Sequence, residues 1–144
     1  MTAVGIRVEF MGPLFLSQNS AWLIDRHLNA AVQEVAERGE MHLDNMLRPR
    51  PAGVFLGVEQ AGRRASTGHY RRNIQSARRD RTVVITDGGV IYGPWLEGIG
   101  SRNATTRFKG YASFRRVTQR LREKDAPEVV EKHVRRLVAE LGGG

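Results

Sequence analysis

A long helical pattern near the start of the chain constrains the fold most. From about residue 19 to residue 47, apolar residues recur at helical spacing. Ser17, Asn19 or Ser20 can supply the N-cap. The run Arg48-Pro49-Arg50-Pro51 ends the helix, because each proline disfavours helical geometry in the residue before it. The apolar positions of the pattern are Ile24, Leu28, Val32, Val35 and Met46. A helix with one apolar face must bury that face against another layer, so a second set of elements is required.

Three other stretches have the features of strands. Residues 4–10 alternate apolar and polar side chains, which is the period of a half-buried strand. Residues 70–78 and 81–86 are the other candidates, and the last is rich in β-branched residues. Asp87-Gly88-Gly89 is a strong turn signal that leads into residues 90–92. These patterns predict a small, mainly antiparallel sheet built from residues 4–10, 70–78 and 81–92.

The last third of the chain is predicted to be helical. A first helix over residues 109–124 has an apolar stripe formed by Tyr111, Phe114, Val117 and Leu121. Asp125-Ala126-Pro127-Glu128 has the features of a new helix start, with Asp125 as the N-cap. The apolar side of the last helix is predicted to consist of Val130, Val134, Leu137, Val138 and Leu141.

These elements predict one α+β domain over residues 1–144. The long N-terminal helix and the two C-terminal helices are expected to pack against the small sheet. Residues 48–68 are rich in Pro, Gly and Arg and predict a long, mobile loop. Loops of more than about 15 residues are uncommon in compact domains and are usually functional or mobile.

Charge is distributed unevenly along the chain, whose formal net charge is +8. Residues 1–47 carry three basic and six acidic side chains, a balance of −3. Residues 63–81 carry seven arginines and one acid, and residues 101–124 carry eight basic side chains and one acid. Such blocks are found on solvated faces and on surfaces that meet a charged partner. A small basic protein that contacts the nucleic-acid phosphate backbone without sequence specificity is therefore one functional alternative.

The motifs of enzymes and of cofactor or metal sites are weak here. The chain has no cysteine, and its four histidines, His27, His42, His69 and His133, show no metal-ligand spacing. Gly98 and Gly100 lack the third glycine of a dinucleotide fingerprint. The sequence thus favours a protein that is not an enzyme and needs no cofactor or metal. Without a signal-peptide pattern or a membrane-length apolar run, we expect a soluble intracellular product.

The order of motifs resembles a family of bacteriophage proteins. Thr67-Gly68 with Ile74 stands at the opening of a predicted strand, and Tyr92, Glu97 and Gly98 follow the predicted hairpin. This arrangement is similar to that of the small neck or tail-component proteins, which join head to tail in long-tailed double-stranded DNA phages. The resemblance covers residues 20–124. Tyr70 and Asn73 depart from the family pattern, so neck protein and tail terminator both stay open.

The resemblance implies a structural virion protein that is made in the host cytoplasm. Such a protein assembles as a homo-oligomeric ring, a hexamer or a dodecamer, around the DNA channel. Its other partners are the adjacent connector or head-completion proteins and tail proteins, with double-stranded DNA passing through the ring and no membrane. No catalytic residue is implied.

Two groups of residues are the candidates for subunit contacts. The first is the loop Tyr92-Gly93-Pro94-Trp95-Leu96, whose apolar side chains suit either the subunit's own core or a neighbouring subunit. The second is the basic helix, whose cations suit either acidic surfaces of a neighbour or DNA in the channel. A subunit contact is preferred for the helix, because residues 1–47 carry the opposite charge. The candidate residues are Tyr92, Trp95, Leu96, Glu97, Arg102, Arg116, Arg120 and Lys124.

Overall fold

A computed structural model describes residues 2–9, 21–48, 68–105 and 108–142, apart from the side chain of Arg102. The helices and strands follow one another in this order: β1 (Ala3–Arg7), α1 (Ala21–Met46), α2 (His69–Arg72), β2 (Gln75–Arg79), β3 (Thr82–Thr86), α3 (Gly93–Glu97), α4 (Ser101–Thr105), α5 (Ser113–Arg120), a π turn (Leu121–Asp125) and α6 (Ala126–Gly142). Most of the predicted loop over residues 48–68 lies outside the described ranges, as do the predicted N-cap residues of α1.

The three strands form one antiparallel sheet in the order β1-β3-β2. The central strand β3 pairs with β1 so that Ile85 lies opposite Val4 and Val83 lies opposite Ile6. These four side chains are buried on the face that packs against the helices. All five residues of β2 are exposed. The predicted α+β class and antiparallel sheet are confirmed.

Helix α1 crosses the buried face of the sheet and confirms the long helix that the sequence predicts. Leu28 and Val35 of its apolar stripe are buried in the core. At Gly39 the helix lies close to two neighbouring elements. A β-carbon at that position would lie 2.9 Å from Ile85 Cδ1 and 3.0 Å from Leu121 Cδ1. Gly39 is therefore where α1, β3 and the π turn meet.

The strand predicted over residues 70–78 is only partly correct, because its first residues form α2 and a turn. The side-chain amide of Asn73 donates to the backbone carbonyl of His69 (2.8 Å). The backbone N–H of Asn73 donates to the carbonyls of His69 and Tyr70. Asn side chains favour turns because they bond to nearby backbone in this way. Tyr70 is buried, so α2 is held against the core. β2 begins only at Gln75.

The strand predicted to continue through residues 90–92 is also absent from this part of the structure. β3 ends at Thr86, and Gly88 and Gly89 follow with φ values of 67° and 76°. These left-handed angles, which glycine adopts at no steric cost, turn the chain away from the sheet. The chain then enters α3, where Pro94 lies in the first turn, a position that tolerates proline.

The two predicted C-terminal helices are present, but no break separates them. α5 starts four residues later than predicted and passes through the π turn directly into α6. Pro127 explains the π turn, because a proline ring clashes with the carbonyl four residues earlier in a regular α-helix. The Ala126 N–H bonds to the Leu121 carbonyl, five residues back, so the backbone is widened just before the proline. Asp125 was predicted to be an N-cap, but it lies inside the π turn of a continuous helix.

The buried side of α6 matches the predicted apolar side only in part. Val129, His133 and Leu137 face the core, whereas Val138 is 43% exposed. Of the predicted apolar side, Leu137 is buried and Val130 packs partly buried against the core, whereas including Val138 was wrong. The prediction missed His133, which is buried because it contacts Glu34 of α1.

A row of polar contacts joins α6 to α1. His27 Nε2 lies 2.9 Å from a Glu140 oxygen, and His42 Nε2 lies 3.1 Å from Asp125 Oδ2. Between them, Glu34 contacts Lys132 and His133. Because low numbers on α1 meet high numbers on α6, the helices run antiparallel. We call this row the α1–α6 seam.

The pKa of Glu34 makes the seam sensitive to acid. Burial alone would raise this pKa, but hydrogen bonds from Lys132 and His133 outweigh burial and lower the pKa from 4.5 to about 2. A carboxylate with a lowered folded-state pKa stabilises the fold above its unfolded pKa. That contribution is lost as the pH falls from 4.5 towards 2.

We expect Glu34→Gln to lower the free energy of unfolding by about 1–3 kcal/mol at neutral pH, because it leaves two donors poorly paired. The difference between wild type and variant should shrink as the pH falls from 4.5 towards 2. Urea unfolding at several pH values measures it. Glu131→Gln is the control, since Glu131 is exposed and pairs only with Arg135 among the described residues. A difference that does not change with pH would contradict the assignment.

We also expect Gly39→Val to lower the free energy of unfolding by about 1–3 kcal/mol, because the added carbons would push against Ile85 and Leu121. Valine is not a worse helix former than glycine, so helix propensity does not explain such a loss. Gly5→Val is the control, since no atom lies within 4 Å of a β-carbon there. Thermal melting of both variants tests this, and equal melting temperatures would contradict close packing at Gly39.

Candidate contact site

The loop between β3 and α5 is anchored by a buried carboxylate. Glu97, at the end of α3, accepts hydrogen bonds from the backbone N–H groups of Phe114 (3.0 Å) and Arg115 (2.9 Å). These donors belong to the first turn of α5, where backbone N–H groups have no partner within the helix. Glu97 therefore caps α5 from a distant part of the sequence. Its side chain is engaged inside the subunit and is not available to a neighbouring chain.

Two glycines let distant parts of this loop come into close backbone contact. Gly98 and Gly110 have φ values of 96° and 86°, and a β-carbon on Gly98 would lie 2.2 Å from the Lys109 carbonyl oxygen. A β-carbon on Gly110 would lie 2.3 Å from the Gly98 backbone. Gly98 thus permits a close backbone contact, in addition to its left-handed conformation.

Asn103 holds the middle of the loop together. Its amide nitrogen donates to the carbonyl oxygens of Trp95 (3.0 Å) and Phe108 (2.9 Å), and its oxygen accepts from the Gly100 N–H (3.0 Å). The residue is buried. No sequence signal indicated this role, because an asparagine that links three backbone groups is recognisable only when the chain has folded.

The aromatic residues of the loop pack mainly on one another. The ring centroids of Trp95 and Phe108 are 4.5 Å apart, and those of Phe108 and Tyr111 are 5.0 Å apart. Trp95 is half-buried against the core, and Leu96 is buried. Leu96 and most of Trp95 therefore contribute to the subunit's own packing, which is the first of the two roles that the sequence left open.

Other apolar residues of the same loop face outward. Ile91 is 97% exposed, Ile99 is 69% exposed and Tyr92 is 41% exposed. Tyr92 also lies beside Tyr70 and His69, with ring centroids about 6 Å away. Ile91 and Ile99 were not among the predicted contact residues. Ile99 lies between two glycines and Ile91 follows the Gly88-Gly89 turn, and these positions are a signal that could have been used.

α5 and the π turn present a set of exposed cations that we call the basic face. Arg120 is exposed, but its Nε lies 3.6 Å from Asp125 Oδ2 of the same subunit. Of Arg102, only the backbone within α4 is described. The basic face consists of Arg115, Arg116, Arg122 and Lys124, and none of these has a carboxylate partner in the described ranges. Its cations are free to meet an external anion.

The other arginine block is largely engaged within the subunit. Arg71 bonds to Asp44, Arg78 to Asn29 and Arg81 to Asp25. The hydrogen bond from Arg71 lowers the pKa of Asp44. Arg63 and Arg64 lie outside the described residues. The block that looks most basic in the sequence thus mainly ties α2 and the β2–β3 hairpin to α1.

Several carboxylates lie on the flank of α1 that borders α2. A concavity of about 400 Å³ is lined by Glu37, Glu40, Met41, Asp44, Arg71 and Ile74. Asp44 is paired with Arg71, whereas Glu37 contacts only Gln33 among the described residues. Met41 is half-exposed. We call this concavity, with Glu37 and Glu40 as its free acids, the acidic face.

The histidines are engaged with carboxylates or with nearby residues. His27, His42 and His133 belong to the α1–α6 seam, and His69 packs beside Tyr92. Within the described ranges, no three His, Asp or Glu side chains are placed to hold a metal ion. No helix in those ranges is long and apolar enough to cross a membrane.

The sequence did not indicate that Asp87 and Tyr70 are buried near each other. Asp87 is fully buried, and its Oδ1 accepts from the Gly89 N–H (3.0 Å) while its Oδ2 has no partner among the described residues. A β-carbon on Gly93 would lie 2.1 Å from that Oδ2, so only glycine fits there. Burial, followed by the negative charges of Asp87 and Glu97, raises the pKa of Tyr70. The pair is enclosed in the subunit and lies apart from both charged faces.

Comparisons with protein-family models, with curated proteins and with solved structures found no match to this chain.

The contacts of Glu97 predict a graded effect of substitution. Glu97→Ala should lower the free energy of unfolding by about 1–3 kcal/mol, because it leaves one buried and one partly buried N–H group without an acceptor. Glu97→Gln should lose less, since its one carbonyl oxygen can still accept. Chemical unfolding with helix content as the readout measures the series. Glu123→Ala, an exposed change on the π turn, is the control, and a Glu97→Ala loss no larger than this control would contradict the cap.

Proposed function

We propose that this chain is a structural subunit of the head-to-tail connection of a long-tailed double-stranded DNA phage. In this role it assembles with its own copies into a ring around the DNA channel. The resemblance of the Thr67-Gly68 and Tyr92 to Gly98 segments supports the proposal from the sequence. The distribution of charge on the folded subunit supports it independently.

The observation that carries the proposal is the presence of two faces of opposite sign on one subunit. Asp44 and Glu40 border α2 on one flank of α1, whereas Glu34 contacts α6 and His42 contacts the π turn on the other flank. The acidic face and the basic face are therefore separated by α1. In a ring of identical subunits every contact is heterologous, so one face of each subunit meets a different face of the next. Opposite charges on the two faces suit this geometry.

The structure narrows down which acids can take part. The sequence suggested Glu34 or Glu37 as partners for the basic helix, but Glu34 already contacts Arg38, Lys132 and His133. Within the acidic face, Glu37 and Glu40 are therefore the acids available to a neighbour. Exposed ion pairs contribute only about 0–1 kcal/mol each. They would set the orientation and salt sensitivity of the contact, while exposed apolar side chains such as Met41 supply buried area.

A solitary nucleic-acid-binding protein is the second candidate. The unpaired cations of the basic face suit this role as well as they suit a ring contact. Phosphate contacts would give an affinity for DNA that falls steeply with salt. The engagement of Arg71, Arg78 and Arg81 inside the subunit reduces the number of cations available for this role. The two candidates differ in size, since a ring subunit forms a large defined oligomer and a solitary binder does not.

Charge reversal tests the proposed ring contact. We expect wild type to form a defined oligomer at low ionic strength, and Arg116→Glu with Lys124→Glu to shift it towards monomer, because like charges would then face each other. Arg120 is left unchanged, since its contact with Asp125 is internal. Combining the double variant with a second protein that carries Glu37→Lys and Glu40→Lys should restore mixed oligomers. Mass photometry measures all four samples.

The control is Arg135→Glu with Arg136→Glu, which makes the same change in net charge on the exposed side of α6. It should assemble like wild type. A monomeric wild type that binds DNA with a steep salt dependence would overturn the ring and favour the solitary binder. Assembly of the reversed variant with loss of DNA binding alone would place the basic face against DNA in the channel.

A further inference from the structure

β1 is an edge strand of the sheet, and its backbone groups alternate between two directions. The Asp87 N–H donates to the Thr2 carbonyl (3.3 Å), so these two residues form a hydrogen-bonded pair at the start of the β1–β3 ladder. In an antiparallel ladder such pairs recur at every second residue, so Val4 and Ile6 also turn their backbone groups towards β3. The residues between them turn their N–H and C=O groups outward, where no strand in the described ranges pairs with β1. These outward residues are Ala3, Gly5 and Arg7.

A depression of about 530 Å³ runs along this outer edge. It is lined by residues 4–9 on one side and by the π turn and α6 on the other, including Leu121 and Val130. A second depression of about 550 Å³ adjoins it, because Thr118 and Arg122 line both. An edge strand presents unpaired N–H and C=O groups to whatever lies beside it. The outer edge of β1 therefore has both the space and the hydrogen-bonding groups to accept a further strand.

The charges around the edge are balanced and do not select a charged partner. Arg7 pairs with Glu9 on the same strand, and Glu97 caps α5. A lining with equal numbers of cations and acids can lie against a copy of itself without net repulsion. The charged residues of the two depressions are Arg7, Arg115, Arg122, Glu9, Glu97 and Glu123.

The residues of β1 match those of a second β1 that runs antiparallel to it. With a two-fold axis at Gly5, Ala3 of each strand lies opposite Arg7 of the other. All outward residues are then paired, with about six backbone hydrogen bonds, two for each of three pairs. The two Arg7 side chains lie at opposite ends of the contact, so like charges do not meet. On the inner face Val4 lies opposite Ile6 of the second copy, and such β-branched cross-strand pairs stabilise a sheet.

β2, the other edge of the sheet, does not offer the same contact. All five of its residues are exposed, and they include Arg78 and Arg79 but no apolar side chain larger than that of Ala77. Pairing at β2 would therefore bury little apolar surface. Of the two edges, β1 is the one that combines outward backbone groups with apolar residues on one face.

We infer that this chain forms a two-fold dimer through β1, in which two three-stranded sheets join edge to edge. The contact is isologous, because the same surface of each subunit meets itself. It goes beyond the proposed ring, whose contacts are heterologous and use the acidic face with Arg116 and Lys124. Either contact can form without the other. The paired strands are short, so the interface is small, and we expect a dissociation constant in the micromolar range.

The first test is a cross-link at the two-fold axis. The chain has no cysteine, so Gly5→Cys places one thiol opposite the same thiol of a second copy. Opposite residues of a hydrogen-bonded pair have α-carbons about 5.5 Å apart, which is within the range of a disulfide. We expect Gly5→Cys to form a covalent dimer on mild oxidation at least about tenfold faster than Arg7→Cys, whose α-carbons would lie more than about 13 Å apart. Arg7→Cys is the matched control, because its side chain is exposed on the same face of β1.

Both cysteine variants also carry Arg116→Glu with Lys124→Glu, so that the proposed ring contact does not bring the subunits together. Non-reducing gel electrophoresis measures the rates. A micromolar dimer separates at the nanomolar concentrations of mass photometry, so the ring test above is independent of it.

The second test removes the outward N–H of Gly5. Gly5→Pro should keep the β1–β3 ladder, because proline is tolerated on an edge strand where the N–H faces solvent. In the same Arg116→Glu and Lys124→Glu background, sedimentation equilibrium above the micromolar range should show a monomer–dimer equilibrium, and Gly5→Pro should shift it to monomer. Ser76→Pro is the matched control, since its N–H points outward from β2, and it should leave the dimer unchanged.

Three outcomes would overturn the inference. They are a monomer at all concentrations in the background without the ring contact, equal cross-linking of Gly5→Cys and Arg7→Cys, and a dimer that persists in folded Gly5→Pro. If Gly5→Pro does not fold, the pair of cysteine variants still decides.

Discussion

The close approach of three elements at Gly39 is the constraint on which the rest of the fold depends. Because Gly39 has no side chain, Ile85 of β3 and Leu121 of the π turn both reach α1 at the same place. The sheet and the C-terminal helix are thereby packed against one helix. Such packing is close to that of an organic crystal, so a change in volume at the meeting point affects all three elements. The loop after β3 is joined to the same packing, because Glu97 caps α5 and α5 lies against α1.

The polar seam between α1 and α6 decides which charges remain for partners. Glu34, Asp125 and Glu140 are engaged with cations or histidines of the facing helix. Glu37 and Glu40 remain on one flank of α1, and the basic face remains beyond the other. Paired charges hold the subunit together, and unpaired charges are available at its surface. The functional proposals rest on the second group, which only the folded chain identifies.

Periodicity in the sequence predicted the existence of most elements correctly. The stripe from Leu28 to Val35 predicted α1, and the alternation around Val4 and Ile6 predicted a strand with one buried face. The failures have specific causes. Residues 70–73 form a helical turn because Asn73 bonds to the backbone of His69, and Pro127 produces a π turn in place of a new helix start. Local propensity is a weak guide where one side-chain hydrogen bond or one proline ring decides the backbone geometry.

The sequence by itself determined the α+β class, the long first helix and the uneven distribution of charge, because these depend on patterns between near neighbours in the chain. It also marked the loop around Trp95 as unusual. Only the tertiary structure decided what each of these residues does. Leu96 and Glu97 are inside the subunit, Ile91 and Ile99 are outside, and the cations divide into paired and unpaired sets. The physical reason is that burial and charge pairing depend on contacts between residues distant in sequence. Glu97 with Phe114 and His27 with Glu140 are such contacts, and no local pattern records them.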